Sequence, residues 1–344
     1  MNTFFKHIIK SLLILCLCAA GRSVSAQQDI YWSQWILNPY LVNCAVAGWD
    51  GYTTVNLMSR EQWVGIPGSP NTQAVTAQTR ILKNSFISRG AKVRKKSTSS
   101  SVSGRVGLGA YVYNDRVGLI DRTGIQLTYA YHIPFKTSQL SFGLSLNAYQ
   151  FKLNWAKIDV LSEEFKSSDN LIMAAKQGIF IPDMNFGVYY AAEKYFVGFS
   201  ASDLAQAALK ISNGPTVDYK LVRNYVFIGG YNIPVNSTFE RRTTDITVLI
   251  QPNALVKISE YGAIQGDMGV RVLLGQQYWA GVSYRTPNIM VVMAGIKLDK
   301  FYIGYAFDAN FSNIMRSTLG SHEFSIAYKF GESVRRYRWL KKTF

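Results

Sequence analysis

The chain has 344 residues, of which 48% are hydrophobic and only 17% are charged, below the roughly 25% charged residues of a typical soluble domain. This apolar content excludes general disorder, because it can offset the entropy lost on folding. After residue 26 no apolar run approaches the roughly 20 residues of a spanning helix, which excludes a polytopic helical membrane protein. The formal net charge of +16 would, in a soluble protein, suggest nucleic acid or an anionic surface as a partner.

Residues 1–26 have the features of a secretory signal peptide. Lys6 and Lys10 precede the apolar run SLLILCLCAA, and residues 24–26 place Val and Ala at the −3 and −1 positions of a cleavage site. We therefore expect the mature chain to begin at Gln27. Export also argues against nucleic acid as a partner, despite the basic charge.

Alternation with a period of two is the dominant pattern of the mature chain. Between Leu140 and Ala148, Leu, Phe and Ala side chains share one face, and Ser, Gly and Asn residues share the other. Strict alternation of this length predicts a strand with one apolar face. About fourteen such segments are predicted, near residues 53–60, 72–80, 105–113, 123–132, 139–150, 184–191, 195–201, 220–232, 244–252, 263–273, 277–285, 289–298, 300–309 and 321–330.

The connections between these segments alternate in length. Short ones, such as Asp299–Lys300, fall between long ones, such as Phe151–Asp183. Short turns on one side and long loops on the other are typical of outer-membrane barrels. The sequence thus predicts an all-β fold, a transmembrane barrel of about 14 antiparallel strands over residues 53–330. The alternative is a soluble sandwich, but small residues with sparse charges on the second face fit a crowded lumen better than an aqueous surface.

Three segments outside the regular strands carry separate expectations. Residues 27–52 are too aromatic for a free tail, and we expect them to fold into the periplasmic opening as a plug. Residues 331–344 form a basic tail that an even strand count places in the periplasm, as a solvated extension or a docking peptide. By the same count the basic stretch 91–104 is periplasmic, against the rule of short periplasmic turns.

Candidate catalytic, cofactor and metal residues are scarce. The mature chain has two histidines, His132 and His322, and no metalloprotease, lipase or nucleotide-binding motif. A hydrolase on the barrel wall would need Ser, His and an acidic or amide side chain within hydrogen-bond reach. Cys44 is the one cysteine left after cleavage, so no internal disulfide is possible and a small buried core residue is expected. We therefore expect no catalytic residue, no cofactor and no metal.

Several motifs in a fixed order resemble one family. They are QDIYWSQWILNPYLVNCAVAG, SREQWVGIPGSPNTQ, GLGAYVYNDRVG, LTYAYHIPF with LSFGLSLNAYQ, VGFSASDL, WAGVSYR, GYAFDANFS and GSHEFSIAYKF. Together they resemble the PorP/SprF family of outer-membrane proteins of the Bacteroidetes type IX secretion and gliding machinery, over nearly all of residues 27–330. Cys44, Val46, the basic insertion near Lys95 and the tail after Phe330 depart from the family pattern.

The resemblance implies a non-enzymatic barrel in the cell outer membrane. Such a barrel would support secretion of cell-surface proteins, or anchor adhesins by their C-terminal domains, with periplasmic components of the secretion system as further partners. The sequence does not separate a core secretion component from a dedicated adhesin anchor. The alternative function is a passive transport barrel for a small or hydrophobic solute, which conductance would reveal.

The first long connection is the candidate partner-binding loop. It carries the residue types that dominate interface energetics and two prolines that fix its shape, and the candidates are Arg60, Gln62, Trp63, Pro67 and Pro70. The alternative is a loop that folds over the barrel mouth with Trp63 packed beneath it.

Overall fold

The computed structural model describes residues 30–81, 104–153, 179–206, 208–209, 219–237, 246–275, 277–312 and 317–331. The predicted signal peptide, most of the basic stretch 91–104 and nearly all of the basic tail lie outside these residues. The described part consists of strands and two short 3-10 turns, at Pro39–Leu41 and Cys44–Val46. None of its helices is long and apolar enough to cross a membrane.

The described residues contain seventeen strands, numbered in chain order. They are β1 (Thr53–Glu61), β2 (Asn71–Arg80), β3 (Val106–Val117), β4 (Ile120–Pro134), β5 (Ser138–Leu153), β6 (Ile179–Ala192), β7 (Tyr195–Ser202), β8 (Ala208–Leu209), β9 (Tyr219–Lys220), β10 (Asn224–Tyr231), β11 (Ile233–Ser237), β12 (Ile246–Ser259), β13 (Ile264–Leu274), β14 (Tyr278–Arg285), β15 (Ile289–Leu298), β16 (Phe301–Asn310) and β17 (Ser321–Phe330).

The strands close into a barrel of fourteen antiparallel strands, which confirms the predicted fold. β1 pairs with β17, and β10 pairs with both β7 and β12, so the sheet closes into a ring. β10 and β11 count as one strand of the barrel, because both pair with β12 in a single register. β8 and β9 form a separate two-residue ladder.

Two predicted strands, at 220–232 and 244–252, have different bounds in the structure. The first begins only at Asn224 and is interrupted after Tyr231, and the second continues to Ser259. The interruption lies opposite Pro252, which has no N–H to donate to the ladder. The structure accommodates Pro252 inside a long strand.

The barrel wall is apolar outside and polar inside. On β5 the side chains of Phe142, Leu144 and Leu146 are 38%, 50% and 64% exposed, whereas Ser141 and Ser145 are completely buried. A soluble sandwich would bury the apolar face. A closed sheet with an apolar exterior pairs its backbone groups between neighbouring strands without water, which is the requirement for crossing a bilayer with strands. The protein is thus an outer-membrane barrel.

The two ends of the barrel differ. The terminal end holds Thr53 and Phe330, and its connections include the short turns 135–137, 193–194 and 299–300. The opposite end, called the loop end here, holds the connection 62–70 and the long connections 154–178, 203–223 and 311–320. Because outer-membrane barrels place short turns in the periplasm, we assign the loop end to the extracellular side.

Candidate functional site

Residues 30–52, called the N-terminal segment here, lie inside the barrel. Trp35, Ala45 and Val46 in this segment are at most 1% exposed. Hydrogen bonds join the segment to opposite walls: the backbone N–H of Ser33 donates to Glu323 on β17, and the Asn43 amide donates to the carbonyl of Val188 on β6. The segment is therefore attached on both sides of the lumen.

The N-terminal segment runs along the lumen from the loop end to the terminal end. Ser33 contacts Asp308, which lies near the loop end of β16. Asp50 pairs with Lys329 at the terminal end of β17, with 3.3 Å between Asp50 Oδ2 and Lys329 Nζ. The chain then enters β1 at Thr53. A plug in the periplasmic opening stays a prediction, and the contacts between Ser33 and Asp308 and between Asp50 and Lys329 mark the two ends of the segment.

The middle of the segment lies close against the wall because of a glycine and a capping asparagine. A Cβ on Gly143 of β5 would overlap the backbone nitrogen of Ala45. Asn43 caps the 3-10 turn at Cys44–Val46, since its Oδ1 accepts from the Ala45 N–H at 2.9 Å. Its Nδ2 also donates to the backbone carbonyl of Phe199 at 3.1 Å. One side chain thus shapes the turn and attaches it to the wall.

Five buried charges at the loop end, called the ion cluster here, surround the start of the N-terminal segment. Each is at most 3% exposed. They are Arg60 on β1, Asp267 on β13, Arg285 on β14, Asp308 on β16 and Glu323 on β17.

The two arginines connect the three carboxylates. Arg60 lies 2.6 Å from Asp308 and 2.9 Å from Glu323. Arg285 lies 3.1 Å from both Asp267 and Asp308. Removing one partner of a buried pair leaves an uncompensated charge and is strongly destabilising. The five strands are therefore fixed relative to one another at this end of the barrel.

Ser33 lies at the centre of the ion cluster. Its hydroxyl donates to Asp308 at 2.8 Å and accepts from Arg60 at 2.6 Å and from Arg285 at 2.9 Å. The backbone N–H groups of Ser33 and Gln34 donate to the two carboxylate oxygens of Glu323, at 2.7 and 2.9 Å. Charge-assisted bonds of this kind are about twice as strong as neutral ones. The cluster thus positions the N-terminal segment at the loop end.

The candidate loop residues do not lie on one surface. Arg60 is not a loop residue: it belongs to β1, and its guanidinium is inside the barrel because the ion cluster offers it two carboxylates. This corrects the expected placement of Arg60. Pro70 is buried, Gln62 and Trp63 are half-buried, and Pro67 is exposed.

The connection 62–70 is held against the connection before β17. The Val64 N–H donates to the Gly320 carbonyl at 2.9 Å, and the Leu319 N–H donates to the Val64 carbonyl at 2.8 Å. The Trp63 N–H donates to Ser321 Oγ at 3.2 Å. Two loop-end connections therefore form one ordered surface.

The histidines have structural contacts. His132 Nδ1 lies 2.8 Å from Ser141 Oγ, and its Nε2 lies 3.0 Å from the Ala47 carbonyl. This places Ser and His within hydrogen-bond reach, but both residues are completely buried, so no substrate path reaches the Ser141 hydroxyl. His322 contacts Tyr305 Oη at 2.7 Å. No group of three or more metal-ligating side chains occurs among the described residues.

Comparisons with known proteins identify a family. The sequence profile of the type IX secretion system membrane protein PorP/SprF matches residues 24–328. No curated protein sequence matches the chain. Among solved structures, the chain is 8% identical to the siderophore receptor PirA from Acinetobacter baumannii, with 75% of this chain and 42% of that chain covered and a TM-score of 0.32.

Two further solved structures are similar at the same level. CdiB from Acinetobacter baumannii is 9% identical, with 81% of this chain and 60% of that chain covered and a TM-score of 0.38. BamA from Haemophilus ducreyi, lacking POTRA domains 1–3, is 6% identical, with 81% and 70% covered and a TM-score of 0.39. The chain thus spans less than two thirds of PirA and CdiB.

Proposed function

Since the chain belongs to the PorP/SprF family of type IX secretion system membrane proteins, we propose that it is a docking barrel for a secreted cell-surface protein. The docked protein would be of the adhesin kind, held by its C-terminal domain at the loop end. Periplasmic components of the secretion machinery would contact the terminal end. In this proposal the barrel anchors or supports the exported protein and does not conduct it.

The N-terminal segment is the observation that carries this proposal. Its attachment to β17 through Ser33 and to β6 through Asn43 places ordered backbone across the lumen. A passive transport barrel requires a continuous aqueous path. The buried ion cluster further supports a closed lumen, because its charges are paired with one another and with Ser33.

The outer surface of the loop end supports docking of a protein. Three large apolar side chains in its connections are exposed, Tyr261 by 69%, Phe311 by 60% and Leu319 by 73%. Exposed apolar patches commonly mark interaction sites. Pro67 lies in the neighbouring connection 62–70, which is bonded to Leu319. We propose that Pro67 forms this surface together with Leu319, that the half-buried Gln62 and Trp63 lie at its border, and that the buried Pro70 and Arg60 support it from beneath.

The closed lumen is tested by conductance in planar bilayers. We expect the purified full-length protein to be electrically silent and a variant lacking residues 30–50 to form ion-conducting pores. Steady conductance by the full-length protein would favour the transport alternative instead.

Docking is tested in cells in which the chain is replaced by variants. We expect Leu319→Ala combined with Pro67→Ser to reduce the amount of surface-exposed adhesin, measured by proteomics of surface-shaved cells. The matched control is Phe135→Ala, which removes a 49% exposed side chain at the terminal end. Equal amounts of surface-exposed adhesin in cells with the natural protein, the double variant and the Phe135→Ala control would argue against docking at the loop end.

A further inference from the structure

A chamber of about 640 Å³ opens at the loop end beside the N-terminal segment. This volume lies in the range of ligand-binding sites. Its lining combines tyrosine rings with amide side chains, among them Tyr40, Tyr113, Gln126, Asn147 and Asn185. The chamber borders the ion cluster at Tyr31, whose ring lies 3.9 Å from the Arg285 guanidinium, and it reaches the docking surface at Tyr261.

Two polar groups in the chamber have no partner among the residues that the structure describes. Asn147 Oδ1 is buried and accepts no hydrogen bond. The Arg122 guanidinium lines the chamber without a hydrogen bond or ion pair to the described part of the chain. A buried acceptor left unpaired costs about 1–3 kcal/mol, and a guanidinium matches a carboxylate in two-point geometry. The chamber thus offers an acceptor for an N–H group and a donor for a carboxylate.

The other amides of the chamber are already oriented. Gln126 Nε2 donates to Ser145 Oγ at 3.3 Å, and Gln126 Oε1 accepts from Asn185 at 3.1 Å. Tyr111 and Tyr113 stack with their ring centroids 5.2 Å apart. These contacts hold the wall in place around Asn147 and Arg122.

The strand register gives the distance that a ligand must span. Arg122 and Gln126 both face the lumen on β4, four residues apart, and Asn147 lies directly opposite Gln126 on β5. At about 3.4 Å per residue, this separates the two backbone positions by about 14 Å along the strand. About four residues of extended polypeptide span this separation.

We propose that this chamber binds an extended acidic peptide, with its carboxylate on Arg122 and a backbone N–H on Asn147 Oδ1. The inference rests on the proposed function, since a segment of the docked secreted protein would supply the peptide. The chamber opens at the end to which that protein would dock, beside Asp203 and Leu221. Binding there would add a specific, charge-dependent contact to the apolar surface around Leu319.

The test measures binding of a tetrapeptide by fluorescence anisotropy. The probe is fluorescein-Gly-Ser-Gly-Asp with a free carboxyl terminus, and the comparison probe is fluorescein-Gly-Ser-Gly-Asn-amide, which lacks both carboxylates. The full-length protein is used in mild detergent, and folding of each variant is checked by its heat-sensitive gel mobility. We expect saturable binding of the acid and affinity at least about tenfold lower for the amide, since a charged hydrogen bond contributes about 1.5–3 kcal/mol.

Variants assign the binding to the chamber. Arg122→Gln is expected to lower the affinity for the acidic tetrapeptide about tenfold and to leave the weak binding of the amide probe unchanged. Arg122→Lys is expected to retain part of the affinity for the acidic tetrapeptide. Arg116→Gln is the matched control, because Arg116 lies at the same end of the barrel with its side chain 68% exposed. Asn147→Ala is expected to weaken both probes, because both have N–H groups.

Three results would overturn the inference: no saturable binding, equal affinity for the two probes, or equal effects of Arg122→Gln and Arg116→Gln. Stronger binding of trigalacturonate than of the acidic peptide would assign the chamber to an acidic saccharide instead. These failures leave the docking proposal standing, because the loss of surface adhesin in the Leu319 and Pro67 variant does not depend on the chamber.

Discussion

At the scale of single residues, Cys44 shows what insertion into the lumen does to a side chain. It is 4% exposed, beside the wall of β6. Burial raises the pKa of its thiol to about 11, because the thiolate would lose its hydration. At pH 8 this lowers the thiolate fraction about 200-fold relative to an unperturbed thiol.

The pH dependence of Cys44 alkylation tests this environment. We expect the rate with iodoacetamide to rise about tenfold per pH unit and to level off only near pH 11, because the thiolate is the reacting species. Limited access to the lumen lowers the absolute rate but does not move this profile. The measurement is the alkylated fraction over time by mass spectrometry.

A thiol outside the lumen provides the control. In a Cys44→Ala background, Ser312→Cys places a thiol on an exposed loop-end residue, and its rate should level off near the ordinary value of about 8.5. A plateau for Cys44 at the same pH as for the control would mean that the N-terminal segment is not buried in solution.

The sequence predicted the burial of Cys44 but not the partners of Arg60. A lone cysteine among apolar and small residues is a local indication of a core position. The partners of Arg60 lie 248 and 263 residues further along the chain, and the bonds also require Ser33 from a third segment. Asp267, Arg285, Asp308 and Glu323 were visible in the sequence as sparse charges on lumen-facing positions. Without an alignment of strands around the closed ring, nothing indicated that they meet.

At the scale of elements, the N-terminal segment depends on small residues in the wall. Gly143 of β5 and Gly187 of β6 face the turn at Cys44–Val46, where a Cβ would overlap Ala45 N or the Asn43 side chain. Strand glycines ordinarily weaken a sheet. Here their positions make room for backbone inside the barrel, which explains glycines at lumen-facing positions of otherwise regular strands.

A valine at position 143 should displace the N-terminal segment from the wall. We expect Gly143→Val to destabilise the protein by about 1–3 kcal/mol through overpacking, although valine is the better strand former. Loss of the contact should also expose the aromatic residues of the segment, including Trp32 and Trp35. The measurement is chymotrypsin cleavage within residues 31–40, which should be slow in the natural protein and fast in the variant.

Gly266→Val is the control that separates loss of the contact with the N-terminal segment from the general effect of a valine in a strand. Gly266 lies on β13, and an added Cβ there has its nearest neighbour, Thr286 Oγ1, at 3.9 Å. This variant should keep the segment protected from chymotrypsin. Equal cleavage of the two variants would show that Gly143 does not act through the N-terminal segment.

At the scale of the whole molecule, the fold could be predicted because its main pattern is local. Two-residue alternation identifies each strand from its own sequence, as on β5, and an even number of such strands closes without reference to distant contacts. The path of the N-terminal segment was not predictable in this way. Whether Ser33 lies at the loop end or the terminal end depends on a cluster contributed by β1, β13, β14, β16 and β17.

The contact of the exterior with lipid is the property on which the whole arrangement depends, and Leu144 tests it. Leu144 lies near the middle of β5 and is 50% exposed. We expect Leu144→Arg to lower the free energy of unfolding by about 2–4 kcal/mol, the cost of a charge on the lipid face near the bilayer midplane. Urea unfolding of the protein in lipid vesicles measures this difference.

Thr137→Arg places the same charge on an exposed turn at the terminal end, where the cost should be near zero because the side chain can reach water. If the two arginines cost the same, Leu144 faces water, and a barrel that spans the membrane at β5 is contradicted.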